Sequence, residues 1–143
     1  MNTKEREIIQ SCACHKVRMA ARTITRAYDD TLRPVGLRAT QLSVLVAVAI
    51  DGAISITELA KFLGMDRTTL TRNLSPLVKE GLISAGAEGW RRSRELTLSK
   101  KGRARMESAL PLWQKAQTAL KHRVGERNWE NFHQELDHLI RAT

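Results

Sequence analysis

Apolar positions recur at threes and fours along most of the chain, the period of helices and not of strands. Val17, Ala20, Ala21, Ile24, Ala27, Tyr28 and Leu32 predict a helix over about residues 11–32, stopped by Pro34 and Gly36. The run LSVLVAVAI, from Leu42 to Ile50, is apolar almost all round. A helix there, capped by Thr40 and ended at Asp51-Gly52, is expected to be buried on several sides. Ser55-Ile56-Thr57-Glu58 then forms a capping-box pattern opening a short helix, about 56–63, that closes at Gly64. Asp66 can cap the next helix, with Leu70, Leu74, Leu77 and Val78 on one face and Gly81 at its end. Two short helices joined by Gly64-Met65-Asp66 make a helix-turn-helix. Pro76 is discordant, because inside a helix it removes a hydrogen bond and should kink the chain at a cost of ~3 kcal/mol.

After Gly81 the character changes. Leu82-Ile83 and Glu95-Leu96-Thr97-Leu98 are short β-like runs around the basic stretch AGAEGWRRSR, a hairpin with a long tip that would form a wing. Ser99 can cap a long helix over about 100–123, striped by Ala109, Leu112, Trp113, Ala116 and Leu120 and broken at Gly125. A last helix, about 127–140, carries Trp129, Phe132, Leu136, Leu139 and Ile140.

The expected fold is therefore mainly α. A winged helix-turn-helix domain with a β-hairpin wing spans 37–102, between an N-terminal helical region, 1–36, and C-terminal helices, 103–143. The stripes of the terminal helices (Val17 and Ile24; Leu112, Trp113, Ala116 and Leu120; Trp129, Phe132, Leu136 and Leu139) cannot all be buried on so small a central domain. Wrapping around a second copy resolves this, so the terminal regions are expected to form a homodimer interface.

Composition narrows the class. The 143 residues are 42% hydrophobic and 27% charged, as in a soluble globular protein. No run is long and apolar enough for a membrane span, and MNTKEREIIQ lacks the apolar segment of a signal peptide. A cytoplasmic location is the expectation. The net charge of +9 and a pI of about 10.3 call for an anionic partner. From Lys61 to Arg105 there are eleven Lys/Arg against four Asp/Glu, so the excess forms a local basic region. These charges are spread over loops and several elements, unlike those of a membrane-surface helix. Nucleic acid fits better.

With Leu70, Leu74 and Leu77 buried, Thr68, Thr71, Arg72 and Ser75 project from roughly the opposite side of their helix, flanked by Arg67 and Thr69. An arginine among short hydroxyl residues suits the major groove of double-stranded DNA, where Arg takes guanine bidentately and Thr meets a thymine methyl or a polar edge. A plain solvated face is the competing reading, made weaker by the capped helix just before. Arg91, Arg92 and Arg94 on the wing can enter the minor groove, where negative potential is focused; a generic basic loop is the alternative. Lys100, Lys101, Arg103 and Arg105 are expected to face phosphate or solvent.

Residues 17–140 resemble the MarR family of bacterial regulators. The resemblance is carried by GLRATQLSVLVAV, by ITELAKFLGMDRTTLTRNLSPLVKEGLI and by WRRSRELTLSKKGR. Thr71-Arg72, Leu77 and Gly81-Leu82-Ile83 fit the family's recognition-helix pattern, and Arg92, Leu98-Ser99 and Gly102 fit its wing motif. Trp90 stands where that motif has an aspartate, and Ser99 where it has threonine. The resemblance implies a dimer formed by the first and last two helices, and small-molecule effectors bound between those helices and the DNA-binding lobe.

Cys12 and Cys14 are the two cysteines, too close in sequence for an ordinary structural disulfide. On a helix they point about 200° apart and Cys12 shares a face with His15; in an extended segment the two thiols share a side. A sensing role, by oxidation or soft-metal binding with help from the partner's thiols, is one reading. Two small side chains packed at a helix start is the plainer and favoured one. His122, His133 and His138 form no metal-binding array. No phosphate-binding glycine motif, no GxSxG and no paired carboxylates are present, so no catalytic residue, resident metal or cofactor is expected.

These features point to a sequence-specific regulator, of repressor type. It would bind a pseudo-palindromic DNA site as a homodimer and be released by a small ligand or thiol modification. The rival is a winged-helix module whose basic face docks an acidic protein.

Overall fold

The computed structural model describes residues 3–86 and 95–142. It has seven α-helices and a two-stranded antiparallel hairpin among those residues, the mainly α winged-helix fold expected from the sequence. The chain forms two units, Leu32–Trp113 and the paired terminal segments Met1–Thr31 with Gln114–Thr143.

The central unit is built on α3 (Ala39–Asp51), the near-uniformly apolar helix, whose Leu42, Val44, Leu45, Ala47 and Val48 are buried. Its cap differs from the expected one. The helix starts one residue before Thr40, and the Gln41 side-chain oxygen accepts the Arg38 N–H at 2.9 Å. Around α3 pack α4 (Ile56–Leu63), α5 (Arg67–Lys79), β1 (Ile83–Ala85), β2 (Leu96–Leu98) and the first half of α6 (Lys100–Val124). The hairpin pairs Ile83 with Leu98, Ser84 with Thr97 and Ala85 with Leu96. On its other edge Leu96 exchanges two backbone hydrogen bonds with Ile54, at 2.7 and 3.1 Å. Leu96 is thus held between two segments about ten and forty residues away in sequence.

Ser99 locks the hairpin to the start of α6. Its hydroxyl lies 2.6 Å from the Gly81 carbonyl and 3.0 Å from that of Leu82, and it accepts the Gly102 N–H at 2.9 Å. Glu80, the residue that follows α5, is tied to the same helix: Lys101 Nζ donates to its carbonyl at 2.9 Å, and Arg105 pairs with its carboxylate at 2.8 Å. Two of the four lysines and arginines expected to face phosphate or solvent therefore brace the fold. Lys100, Lys101 and Arg103 are exposed, and Arg105 is half-buried.

The terminal unit contains α1 (Thr3–Ser11), most of α2 (Ala13–Leu32), the end of α6, and α7 (Glu126–Ala142). Helix α1 lies ahead of the expected start near residue 11, because only Ile8 and Ile9 are apolar in this segment and they give no stripe to read. The two helices meet at Cys12, where hydrogen bonds from Cys12 to Ile8 and from Lys16 to Cys12 keep the helical spacing on either side. The Tyr28 hydroxyl bonds the Gln117 side chain, joining α2 to α6 across 89 residues of sequence. On α7, Trp129 lies against Phe132 and edge-on to His133, with ring centres 6.0 and 4.5 Å apart. No single helix among the described residues is long and apolar enough to cross a membrane.

Candidate nucleic-acid interface

Local chemistry sets each boundary of the helix-turn-helix. Ser55 and Glu58 satisfy each other's backbone N–H groups at 3.2 and 3.1 Å, the reciprocal cap that opens α4. Gly64 closes it at φ +63°, a left-handed conformation that glycine adopts without a Cβ penalty. Met65 N–H returns to the Ala60 carbonyl at 2.9 Å, completing the turn. Asp66, extended at φ −71° and ψ 161°, caps α5.

Helix α5 is sharply two-faced. Leu70, Leu74 and Leu77 are no more than 1% exposed, while Arg67, Thr68, Thr69, Arg72 and Ser75 are exposed and Thr71 and Asn73 are half-buried. The predicted recognition residues thus lie along one helix, five of the six open to solvent. Pro76 does not end the helix, which continues to Lys79. It sits in the last turn on the exposed side, where the Arg72 carbonyl that loses its N–H partner can be solvated. Its own carbonyl still accepts the Glu80 N–H at 3.0 Å.

The Asp66 carboxylate is the most tightly held polar group on this face. Oδ1 accepts the Thr69 N–H at 2.7 Å and Oδ2 accepts the Thr69 hydroxyl at 3.1 Å. The backbone bond from Thr69, then its hydroxyl bond, hold the carboxyl below the usual carboxylate value, and the Arg72 guanidinium adds to this. The capping role was legible in the sequence, since Asp at this position recurs at helix starts. The engagement of the Thr69 hydroxyl was not.

Trp90, Arg91, Arg92 and Arg94 lie outside the described residues. The base of their hairpin is described, and Ser99 and Gly102 fix it to α6. Among the described residues no group of three His, Cys, Asp or Glu is placed to hold a metal ion.

The expected dimerisation residues are distributed unevenly. Val17 and Leu139 are about half exposed, at 51% and 50%, and Ile140, beside Leu139 but outside the expected set, is 74% exposed. Trp113 is also exposed. Ile24, Leu120, Trp129, Phe132 and Leu136 are half-buried, Ala116 is buried, and Leu112 packs against the core of the central unit. Between α2 and the end of α6, within the terminal unit, lies a cavity of about 400 Å³. Its wall is mostly apolar, including Met19, Ile24 and Leu120, with Thr23, Tyr28 and Arg123 as polar members. Burial raises the pKa of the Tyr28 hydroxyl. Cys12 is half-buried and Cys14 exposed, both as free thiols.

The profile of the MarR family matches residues 37–85, which span α3, α4, α5 and β1. The M. tuberculosis transcriptional regulator MosR is 36% identical, over 94% of this chain and 96% of its own, and superposes with a TM-score of 0.82. Its structure in complex with DNA is similar at 35% identity, over 92% of this chain and 97% of that one, with a TM-score of 0.76. The uncharacterized HTH-type transcriptional regulator YwoH of Bacillus subtilis is 26% identical over 93 residues, 65% of this chain and 68% of its own.

Proposed function

Because this chain belongs to the MarR family, whose members are transcriptional regulators and not enzymes, it is a DNA-binding regulator, and we propose that it acts as a homodimeric repressor. The observation that carries this reading is the two-faced α5. Its leucines are fully buried, and its arginines and hydroxyl residues stand outward from a helix capped at both ends. Arg72, with Thr68, Thr71 and Ser75, reads base edges in the major groove, while Arg67 and the wing residues Arg91, Arg92 and Arg94 engage backbone or minor groove. The similar MosR chain has been captured in complex with DNA, which supports the same role for this helix here.

Two copies associate through their terminal helices, covering Val17, Trp113, Leu139 and Ile140. The two-fold axis then sets the two recognition helices about 34–36 Å apart, one turn of DNA, and the site they read is pseudo-palindromic. Such a site is occluded while the protein is bound. Release follows when a small molecule enters the α2–α6 cavity, whose size suits a drug-sized ligand, or when Cys12 or Cys14 is modified, changing the spacing of the two helices.

A genome-wide footprint of the purified protein, with sedimentation at the same concentration, tests this. The expected result is a dimer of 16.1 kDa chains protecting discrete two-fold sites. A monomer at micromolar concentration, or uniform protection of all DNA, would overturn it.

A further inference from the structure

On the reading of α5 as the DNA-contacting helix, we infer that Thr69 is a specificity-determining residue that meets DNA without a donor hydrogen, and that Asp66 is the positioning residue that makes it so.

An ionised carboxylate only accepts hydrogen bonds. The contact between Asp66 Oδ2 and the Thr69 hydroxyl, at 3.1 Å, therefore has one direction: Thr69 donates. The second carboxylate oxygen is held by the Thr69 N–H at 2.7 Å, so the carboxylate cannot rotate away without uncapping the helix. The Asp66 carboxyl is held below its usual pKa, which keeps it ionised at neutral pH. Both residues are exposed, and Thr69 lies one turn before Arg72 on the same side of α5.

A threonine hydroxyl ordinarily serves either a phosphate or any base edge, because it donates and accepts. Here the hydrogen is already used. What remains for a partner is the Cγ2 methyl and the acceptor lone pairs. A phosphate offers acceptors only, and the adjacent Asp66 charge repels it. Guanine in the major groove also offers acceptors only, at N7 and O6. The bases that fit are thymine, through its methyl group, and those carrying an amino group, cytosine and adenine. Thr69 should therefore exclude guanine at one symmetric pair of operator positions, beside the pair read by Arg72.

The test is selection from random duplex DNA with four proteins: wild type, Asp66→Ser, Thr69→Val, and the double variant. Serine still caps the helix but has a single oxygen and no charge, which frees the Thr69 hydroxyl. Asp66→Ser should admit guanine at that one pair of positions, by about fivefold, the worth of one hydrogen bond, and leave the rest of the consensus unchanged. Thr69→Val keeps the methyl and has no donor, so it should still exclude guanine. The double variant should restore the exclusion that Asp66→Ser lost. Loss of the Asp66 charge should by itself tighten binding to all sequences alike, so the readout is the consensus: an Asp66→Ser consensus identical to wild type makes Thr69 a cap partner or a phosphate contact and overturns the inference alone. Guanine admitted equally in the double variant overturns it as well. A wild type that selects no consensus removes the DNA reading itself, and this inference with it.

Discussion

A Cβ atom on Gly102 would stand 2.0 Å from the carbonyl oxygen of Leu82 and 2.8 Å from the Leu98 side chain. The start of α6 therefore rests directly on the backbone that leads into β1. Because the nearest obstacle is main chain, relief requires the helix and hairpin to separate. Gly102→Ala should destabilise the protein by about 3 kcal/mol, the upper range for overpacking, despite the better helix propensity of alanine. Urea unfolding followed by circular dichroism measures this. An unchanged midpoint would mean the contact relaxes freely, and the wing's anchoring would have to be sought elsewhere.

Arg72→Ala and Arg92→Ala should fail differently. Arg72 is on the exposed side of α5; if it reads a base edge as proposed, its loss should cost about 1–3 kcal/mol per half-site and relax preference at one symmetric pair of positions. For Arg92, expected from the sequence to meet the minor groove or the backbone, loss should weaken binding to many sequences alike, or reduce selectivity only for narrow A·T-rich grooves. The comparison requires both variants to remain dimers. An Arg72→Ala protein that still selects the wild-type consensus would show that α5 does not read sequence.

Binding should depend steeply on salt. The net +7 between Lys61 and Arg105 implies several phosphate contacts in each copy. About six per dimer give a log–log slope of roughly −5, measurable by fluorescence anisotropy between low and physiological salt. Arg105 is paired with the Glu80 carboxylate, so replacing it should cost stability and leave this slope unchanged. A flat dependence would favour the rival reading, an acidic protein docked on the basic face.

Cys12 and Cys14 separate two modes of release. If the thiols sense oxidants or thiophilic metals, the double serine variant should keep wild-type DNA affinity and lose release by peroxide or metal. Cys12 lies where α1 meets α2, so a modification there acts on the backbone at a helix junction. Equal release in wild type and variant, or none in either, assigns the thiols to packing and leaves the α2–α6 cavity as the effector site.

Acid should weaken the α5 cap in a defined window. The folded-state pKa of Asp66 is lowered, first by the Thr69 backbone bond, so its contribution is complete above 3.8 and lost as the pH falls through the lower folded value. Asp66→Asn caps without titrating. At neutral pH the wild type should be the more stable, since the charge also suits the helix N-terminus, and the difference should shrink below about pH 4. Urea midpoints at pH 7 and pH 3 test this; a difference constant with pH would show that the charge contributes nothing.

The parts of this protein legible in its sequence are those fixed within one or two helical turns. Ser55 and Glu58 are three residues apart, as are Asp66 and Thr69, so their caps follow from spacing alone. Leu70, Leu74 and Leu77 mark the buried face of α5, and the exposed residues opposite them follow from helical geometry. The cap of α3 escaped because Arg38 and Gln41 carry no strong signal, whereas Thr40 does. Tertiary structure alone decided the pairings between distant segments: Tyr28 with Gln117, Ile54 with Leu96, Glu80 with Lys101 and Arg105, and Gly102 against Leu82. A periodic pattern says which face of an element turns inward but not what it meets there. Lys101 and Arg105 look like phosphate ligands in a list of charges, and only the placement of α6 beside the end of α5 turns them toward Glu80. The Thr69 hydroxyl belongs between the two classes, since spacing brings it near Asp66 and only the folded geometry shows that it donates to one carboxylate oxygen while the Thr69 N–H occupies the other.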